Sequence, residues 1–331
     1  TRFYGGFRFR DGPVKGERWA QFAAYRFIVP LFELLRIGSE TVLACNVLPR
    51  PDETPAELLQ RVEAQLERVV FADGFPEALV PAVLEREDTP DQEGWADLVR
   101  QTLLALERHD LTKIVLARES HLQGAGCFDP VALLRRLKEK APATFTFCFH
   151  PVADRAFLGA SPERLFRRCG CFVESEALAG TRPRHPDPAQ DDLFGADLLG
   201  SEKDLHEHAI VVDAILERLG ALCEEVEAAP RPSLMRLSHV QHLHTPIRGR
   251  LASADSDAAL VAALHPTPAV GGEPRGAALD WIAQHEPFDR GIYAAPVGWV
   301  GKDAAEFCVA IRSGLVQDDT LTLYSGAGIV P

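Results

Sequence analysis

The chain has 331 residues, 46% of them hydrophobic and 25% charged, and its 35 Lys and Arg against 48 Asp and Glu give a formal net charge of −13. A chain this long exceeds the roughly 250 to 300 residues at which one core stops growing, so two lobes or two domains around a cleft are expected. The composition excludes a disordered chain and a small disulfide scaffold. The acidic balance, without any Lys/Arg run, argues against a nucleic-acid partner.

Residues 1 to 50 alternate in the manner of short strands (Phe3, Phe7, Phe9; Phe27-Ile28-Val29; Val42-Leu43-Ala44-Cys45), with Gly5-Gly6 and Asp11-Gly12-Pro13 as turns. Helical spacing follows over Ala56 to Val70 and again over Trp95 to His109, and the polar, Pro-containing stretch Glu85 to Glu93 between them reads as a linker. Farther on, strands are expected at 112–118, 144–150, 156–160, 171–175, 307–316 and 320–325, and helices near 130–140, 202–219, 256–264 and 275–285. Turn-rich breaks fall at Arg182 to Asp191 and Ala228 to Ser233. Strands run in groups, with no strict strand-helix alternation, which favours an α+β fold with large, mostly antiparallel sheets, surrounding helices and two lobes about a central cleft. Neither GxGxxG nor GxxxxGK[ST] occurs.

Cys45, Cys127, Cys148, Cys169, Cys171, Cys223 and Cys308 form an odd set without a CxxC pair, and most sit in apolar stretches. They read as small core residues in a reducing compartment. No apolar run approaches the ~18 residues needed to cross a bilayer and the residues from Thr1 do not read as a charged-then-apolar leader, so a cytoplasmic protein without membrane contact is expected, and a monomer with it.

Several segments carry residues suited to chemistry. In Thr112 to Arg118 alternation puts Lys113, Val115 and Ala117 on one face, so Lys113 is either at an exposed edge, which the pattern favours, or buried with a lowered pKa suited to a base. Glu163 follows Ser161-Pro162 at a strand-turn-strand break, either as a surface partner of Arg164 or Arg167 or as a desolvated proton donor. Ser201 caps a helix whose apolar stripe is Leu205, Val212, Leu216 and Leu219, and whose Asp204 and Glu207 share a face. Two carboxylates so placed suit Mg²⁺ or form a solvated acidic first turn. His239, His242 and His244 match no zinc spacing, although His242 and His244 would share a strand face. Arg312 on an apolar strand needs an anionic partner if buried, and Gly326 and Gly328 permit close approach of backbone N–H groups to an anion.

Taken in order, Lys113-Ile-Val-Leu-Ala-Arg118, Phe157 to Phe166, Glu176-Ala-Leu-Ala-Gly-Thr-Arg-Pro-Arg184, Ser201 to His208, Leu264 to Gly272, Glu286-Pro-Phe-Asp-Arg290 and Ala310-Ile-Arg312 through Pro331 resemble the chorismate-utilising enzymes. That group contains isochorismate, salicylate, anthranilate and aminodeoxychorismate synthases. The resemblance covers most of residues 95–331, the chorismate-binding catalytic region, and leaves 1–94 as a variable amino-terminal lobe of the same domain. Lysine at 113 and Ala177-Leu178-Ala179-Gly180-Thr181 look like the water-using members and unlike the aminating ones.

The resemblance implies an isochorismate synthase serving menaquinone, siderophore or salicylate metabolism. Lys113 would activate water at ring C2 and Glu163 would protonate the departing C4 hydroxyl. Glu207 and Asp204 would hold Mg²⁺ at the ring carboxylate. Arg312, Tyr293, Gly326, Ala327 and Gly328 would take the enolpyruvyl carboxylate, with Gly180 and Thr181 nearer the ring carboxylate and His242 lining the pocket. The family continues into a carboxy-terminal helix with a further Glu ligand and a Lys, and this chain ends at Pro331. The competing readings are a salicylate synthase, which eliminates pyruvate after the same first step, a zinc hydrolase built on His239, His242 and His244, and a catalytically dead chorismate-binding relative.

Overall fold

A computed structural model describes residues 1–12, 17–71, 74, 80–253 and 257–331. In chain order the elements begin with β1 (Arg2–Phe7), β2 (Tyr25–Ile28), β3 (Phe32–Ile37), β4 (Glu40–Cys45) and α1 (Pro55–Leu66). Helix α1 starts at a reciprocal cap: the Thr54 hydroxyl accepts from the Glu57 N–H while the Glu57 carboxylate accepts from the Thr54 N–H. There follow β5 (Val83–Thr89), α2 (Gln92–Glu107), β6 (Lys113–Gly124), α3 (Pro130–Lys140), β7 (Phe145–Val152), β8 (Arg155–Ser161), β9 (Arg164–Cys169) and β10 (Phe172–Pro183). Next come α4 (Pro188–Gly200), α5 (Glu202–Gly220), β11 (Cys223–Ala228), β12 (Ser233–Arg236), β13 (Val240–Leu251), α6 (Asp257–Leu264), β14 (Gly272–Glu273) and α7 (Arg275–His285). The chain closes with β15 (Pro296–Gly301), β16 (Ala304–Val309), β17 (Ser313–Gln317) and β18 (Thr320–Ile329).

Two antiparallel sheets carry the fold. One has nine strands in the order β11-β13-β10-β9-β16-β15-β1-β2, with β12 also on β13. The other has seven in the order β14-β6-β18-β17-β8-β7, with β5 also on β6, and β3-β4 stands apart as a hairpin. This is the α+β architecture of large antiparallel sheets that the grouping of strands implied. One core draws on both sheets, through Phe166, Val173 and Phe307 of the larger and Ala117, Phe157 and Leu315 of the smaller. Twice the chain steps from one sheet to the other through a short link: Pro162-Glu163 leads from β8 to β9, and Ala310-Ile311-Arg312 from β16 to β17. Both links carry candidate site residues.

Several sequence expectations need correction. Lys113 is not at an exposed edge: it is 1% exposed, with β18 on one side of its strand and β14 on the other. Glu85 to Glu93 is no linker, because its first residues form β5, whose solvent-facing position against β6 explains the polarity. The single strand read over 307–316 is two, broken where Arg312 takes a left-handed φ of 52°. The Pro- and Asp-rich break at 182–191 is the cap of a helix: the Asp187 carboxylate accepts from the Ala189 N–H, and Pro188 occupies the first turn of α4. On α5 the buried line runs through Val211, Ile215 and Leu219, displaced from the expected stripe. Of the seven cysteines, all free, Cys308 alone is buried, while Cys127 and Cys169 are exposed. No helix among the described residues is long and apolar enough to cross a membrane.

Phe307 is 2% exposed, with ring centroids 5.3 Å from Phe166, 6.2 Å from Phe27 and 6.3 Å from Phe7. Phe307→Ala should cost about 3–5 kcal/mol of unfolding free energy in a urea titration. Leu34→Ala, on the exposed β3-β4 hairpin, should change it by less than about 0.5 kcal/mol.

Candidate active site

Near the amino terminus of α5 and at the start of β6, two elements bring opposite charges together inside the protein. Ser201 caps α5 by accepting from the Asp204 N–H, as its sequence signature implied, and one turn later Glu207 reaches β6. Its Oε1 lies 2.9 Å from Lys113 Nζ. Burial pushes the Lys113 ammonium pKa down, and the adjacent Glu207 carboxylate acts in the opposite direction. Lys113, Glu207 and Val115 face a cavity of about 330 Å³ that Glu163 also enters.

Glu163 is 3% exposed in the first sheet-crossing link. Burial raises its pKa to about 8, reinforced by the Glu176 carboxylate and opposed by Lys113 and Thr267. Glu176 is the better solvated of this carboxylate pair in hydrogen bonds: its oxygens accept from the Arg164 N–H at 2.7 Å and meet His244 Nε2 at 3.0 Å. The cavity therefore holds a buried amine with a lowered pKa and a buried carboxyl with a raised one, the two halves of an acid–base pair.

On the facing sheet, β10 and β13 slip register between Ala179 and Thr181, leaving Gly180 as a bulge with φ 76°. A side chain there would also crowd Asp204 and Leu198 at 3.3 Å. The bulge turns the Gly180 carbonyl and the Thr181 hydroxyl toward His242 of β13. Arg312, in the second crossing link, donates to His242 Nε2 at 2.8 Å. A guanidinium only donates, so His242 carries its proton on Nδ1, which donates to Thr181 Oγ1 at 2.9 Å. Burial, then the Arg312 charge, lowers the His242 pKa to about 4, which keeps the ring neutral. The Thr181 hydroxyl proton is left to point elsewhere, and Thr181 lines the cavity.

The remaining wall is β18. Tyr293 and Tyr324 stack with centroids 5.1 Å apart, and both line the cavity. Gly326 and Gly328 lie beside them because a side chain at 326 would come within 2.8 Å of Tyr293 Oη, and one at 328 would collide with Glu207 Oε1. Ala327, in register with Leu116, is not among the lining residues, so of this segment only the two glycines reach the cavity. Tyr324 was missed by the sequence reading, although its spacing of two and four from the glycines puts it on their face.

Asp204 stands at the rim, beside Gly180, and accepts from Arg182 at 2.9 Å. Asp204 and Glu207 thus present two part-buried carboxylates on one helix face, each beside a basic side chain, Arg182 and Lys113. Oxygen donors in this number suit Mg²⁺, which takes one or two protein carboxylates and fills its shell with water or ligand oxygens. The histidines do not converge: His242 is engaged with Arg312 and Thr181, and His244 with Glu176. The described residues contain no group of three or more His, Cys, Asp or Glu placed to hold a metal.

The raised Glu163 pKa carries a stability cost with a definite sign. Below its ordinary value of 4.5 the group is protonated folded or unfolded; between 4.5 and about 8 the unfolded chain ionises it while the folded protein does not, so stability falls as pH rises. Glu163→Gln should gain unfolding free energy over the parent protein between pH 5 and pH 8, by an amount of the order of a few kcal/mol in urea titrations.

The family described as chorismate binding enzyme matches residues 1–331. The salicylate-biosynthesis isochorismate synthase of Pseudomonas aeruginosa is 38% identical, over 99% of this chain and 69% of that protein. For the chloroplastic isochorismate synthase of Catharanthus roseus the identity is 35%, over 99% of this chain, which spans only 58% of that relative's length. Among solved structures, that of MenF, the menaquinone-specific isochorismate synthase from Escherichia coli, superposes with a TM-score of 0.88 at 31% identity, covering 99% of this chain and 73% of that one. Matched along its whole length, the chain belongs to the chorismate-binding enzyme family.

Proposed function

We propose that this chain is an isochorismate synthase, converting chorismate to isochorismate by adding water at ring C2 as the C4 hydroxyl leaves. The reading is carried by one observation: a buried lysine and a buried glutamic acid, Lys113 and Glu163, enter one cavity with their pKa values shifted toward each other. The names of the relatives support it over salicylate synthesis.

Lys113 in its neutral form takes a proton from the attacking water, whose oxygen bonds to C2. The ring double bonds shift, the C4–O bond breaks, and Glu163 supplies the proton that lets the hydroxyl leave as water. Atoms balance, since one water is consumed and one released. Arg312, whose hydrogen-bond partner among the described residues is a neutral imidazole, receives the enolpyruvyl carboxylate, and Tyr293 with the Gly326 and Gly328 backbone completes that end. The Thr181 hydroxyl, freed to donate by the His242 tautomer, serves the ring carboxylate. Glu207, with Asp204, would hold Mg²⁺, whose charge would offset that of the ring carboxylate.

Incubation with chorismate and Mg²⁺, followed by chromatography, should yield isochorismate; salicylate with pyruvate would show onward elimination, and no conversion would favour a binding relative without activity. Lys113→Gln and Glu163→Gln should each lower turnover by about 10²–10⁴ while retaining cooperative unfolding. Because Glu163 must be protonated to donate, turnover should fall as pH rises through about 8. A profile flat to pH 9.5 would remove Glu163 from the acid role. Glu207→Ala should weaken Mg²⁺ binding in calorimetry before it alters the fold.

A further inference from the structure

Strand β6, which carries Lys113, has a gap on one edge. Its neighbours there are β14, paired at Lys113 and Ile114, and β5, paired from Glu119 onward. Between them no strand among the described residues lies alongside Val115 to Arg118. Buried backbone groups cannot be left unpaired without cost, and here they are met by a loop and two side chains. The Val115 N–H donates to the Gly271 carbonyl at 2.8 Å, the Val115 carbonyl accepts from Arg290 at 2.7 Å, and the Ala117 N–H donates to Glu286 Oε1 at 2.8 Å.

Glu286 and Arg290 are each 4% exposed and bond one another, with Arg290 Nε donating to Glu286 Oε2 at 2.8 Å. The guanidinium lies 4.4 Å from the centre of the Phe9 ring, and its other nitrogen donates to the Val270 carbonyl at 2.8 Å. The Arg290 carbonyl accepts from the Tyr293 N–H at 2.8 Å. One ion pair thus fastens two cavity walls, β6 with Lys113 and Val115 and the loop at Val270, while the Arg290 backbone holds the third at Tyr293. A buried ion pair is no efficient source of stability, since apolar side chains of equal volume serve as well or better. Its planar fork of donors, by contrast, fixes the separation and angle of the groups it joins.

We propose that Glu286 and Arg290 are positioning residues that substitute for a missing strand on β6 and so set the placement of Lys113 against the substrate. The inference rests on the isochorismate synthase reading. Misplacing a reacting group by about 1 Å costs roughly a hundredfold in rate, so loss of the clamp should appear in kcat and leave KM little changed.

The test uses the double variant Glu286→Gln/Arg290→Met, which removes both charges together and keeps an acceptor for the Ala117 N–H, and Arg290→Lys, which keeps the charge and loses the fork. Chorismate turnover is measured with hydrogen exchange resolved to β6. In samples with cooperative unfolding, kcat should fall roughly tenfold to a hundredfold with KM within about threefold. Exchange should accelerate at residues 115–118 and remain slow at 119–124. An active parent protein whose folded variants keep their kcat, or lose only KM, overturns the positioning role and leaves the functional reading standing. A parent protein that does not turn over chorismate overturns both. Should the double variant fail to fold, Arg290→Lys decides by the same readouts.

Discussion

An ammonium group sealed inside a protein needs a counter-charge, and for Lys113 the structure supplies Glu207 at 2.9 Å. Much of the surrounding architecture follows from that contact. Helix α5 must lie against β10 with Glu207 directed at β6, so its capping at Ser201 and its docking through Val211, Ile215 and Leu219 bear on the cavity as well as on the core. The Glu207 carboxylate occupies the space where a side chain at position 328 would stand, so β18 must carry glycine there. The pair is also asymmetric in a useful way: the same carboxylate that supports a charged lysine is a candidate oxygen ligand, so any cation that drew on Glu207 would weaken its hold on the Lys113 proton.

The second constraint is topological. Glu163 and Arg312 sit at the two short links where the chain passes between the sheets. Each link keeps one backbone bond to a neighbouring strand, from the Val309 N–H to the Glu163 carbonyl and from the Ala160 N–H to the Arg312 carbonyl, while its change of direction lets its side chain enter the space between the sheets. Arg312 takes a left-handed backbone conformation to do so. Such strain in a non-glycine residue is tolerated where neighbouring strands on both sides fix the ends of the link.

The sequence was most informative where periodicity was clean. The helices at 275–285 and 202–219 and the cap at Ser201 lie where their spacing put them. Long strands were harder. In β10 the run Glu176 to Ala179 is buried on both faces, so alternation vanishes and only its first few residues were recognised. Strand β13 mixes histidine, threonine, proline and arginine, and its polar side chains are paired with Glu176, Thr181 and Arg312 across other elements, which no local pattern reveals. Lys113 shows the limit most clearly: alternation alone favoured an exposed edge, because the counter-charge that permits burial comes from 94 positions farther along the chain, as the numbers of Lys113 and Glu207 give it. Of the site residues, the resemblance supplied a set that the fold largely gathers, apart from Ala327 and from Asp204 at the rim, whereas the clamp at Glu286 and Arg290 was visible only as a motif without a role.

An acidic protein that accepted the dianion proposed as its substrate would have to do so by local arrangement. With a net charge of −13 the surface repels such a ligand, but exposed charges beyond a Debye length of about 8–10 Å are screened, while groups within the cavity are not. Inside it, Arg312 is partly desolvated and held by the neutral His242 ring in place of a carboxylate. An ion pair at this position would have to be broken for an anion to bind, whereas a hydrogen bond to imidazole fixes the guanidinium and leaves its charge uncompensated. The low pKa of His242, about 4, maintains that state across the neutral range, and it does so because the arginine it positions is also one of the charges that disfavours its protonation.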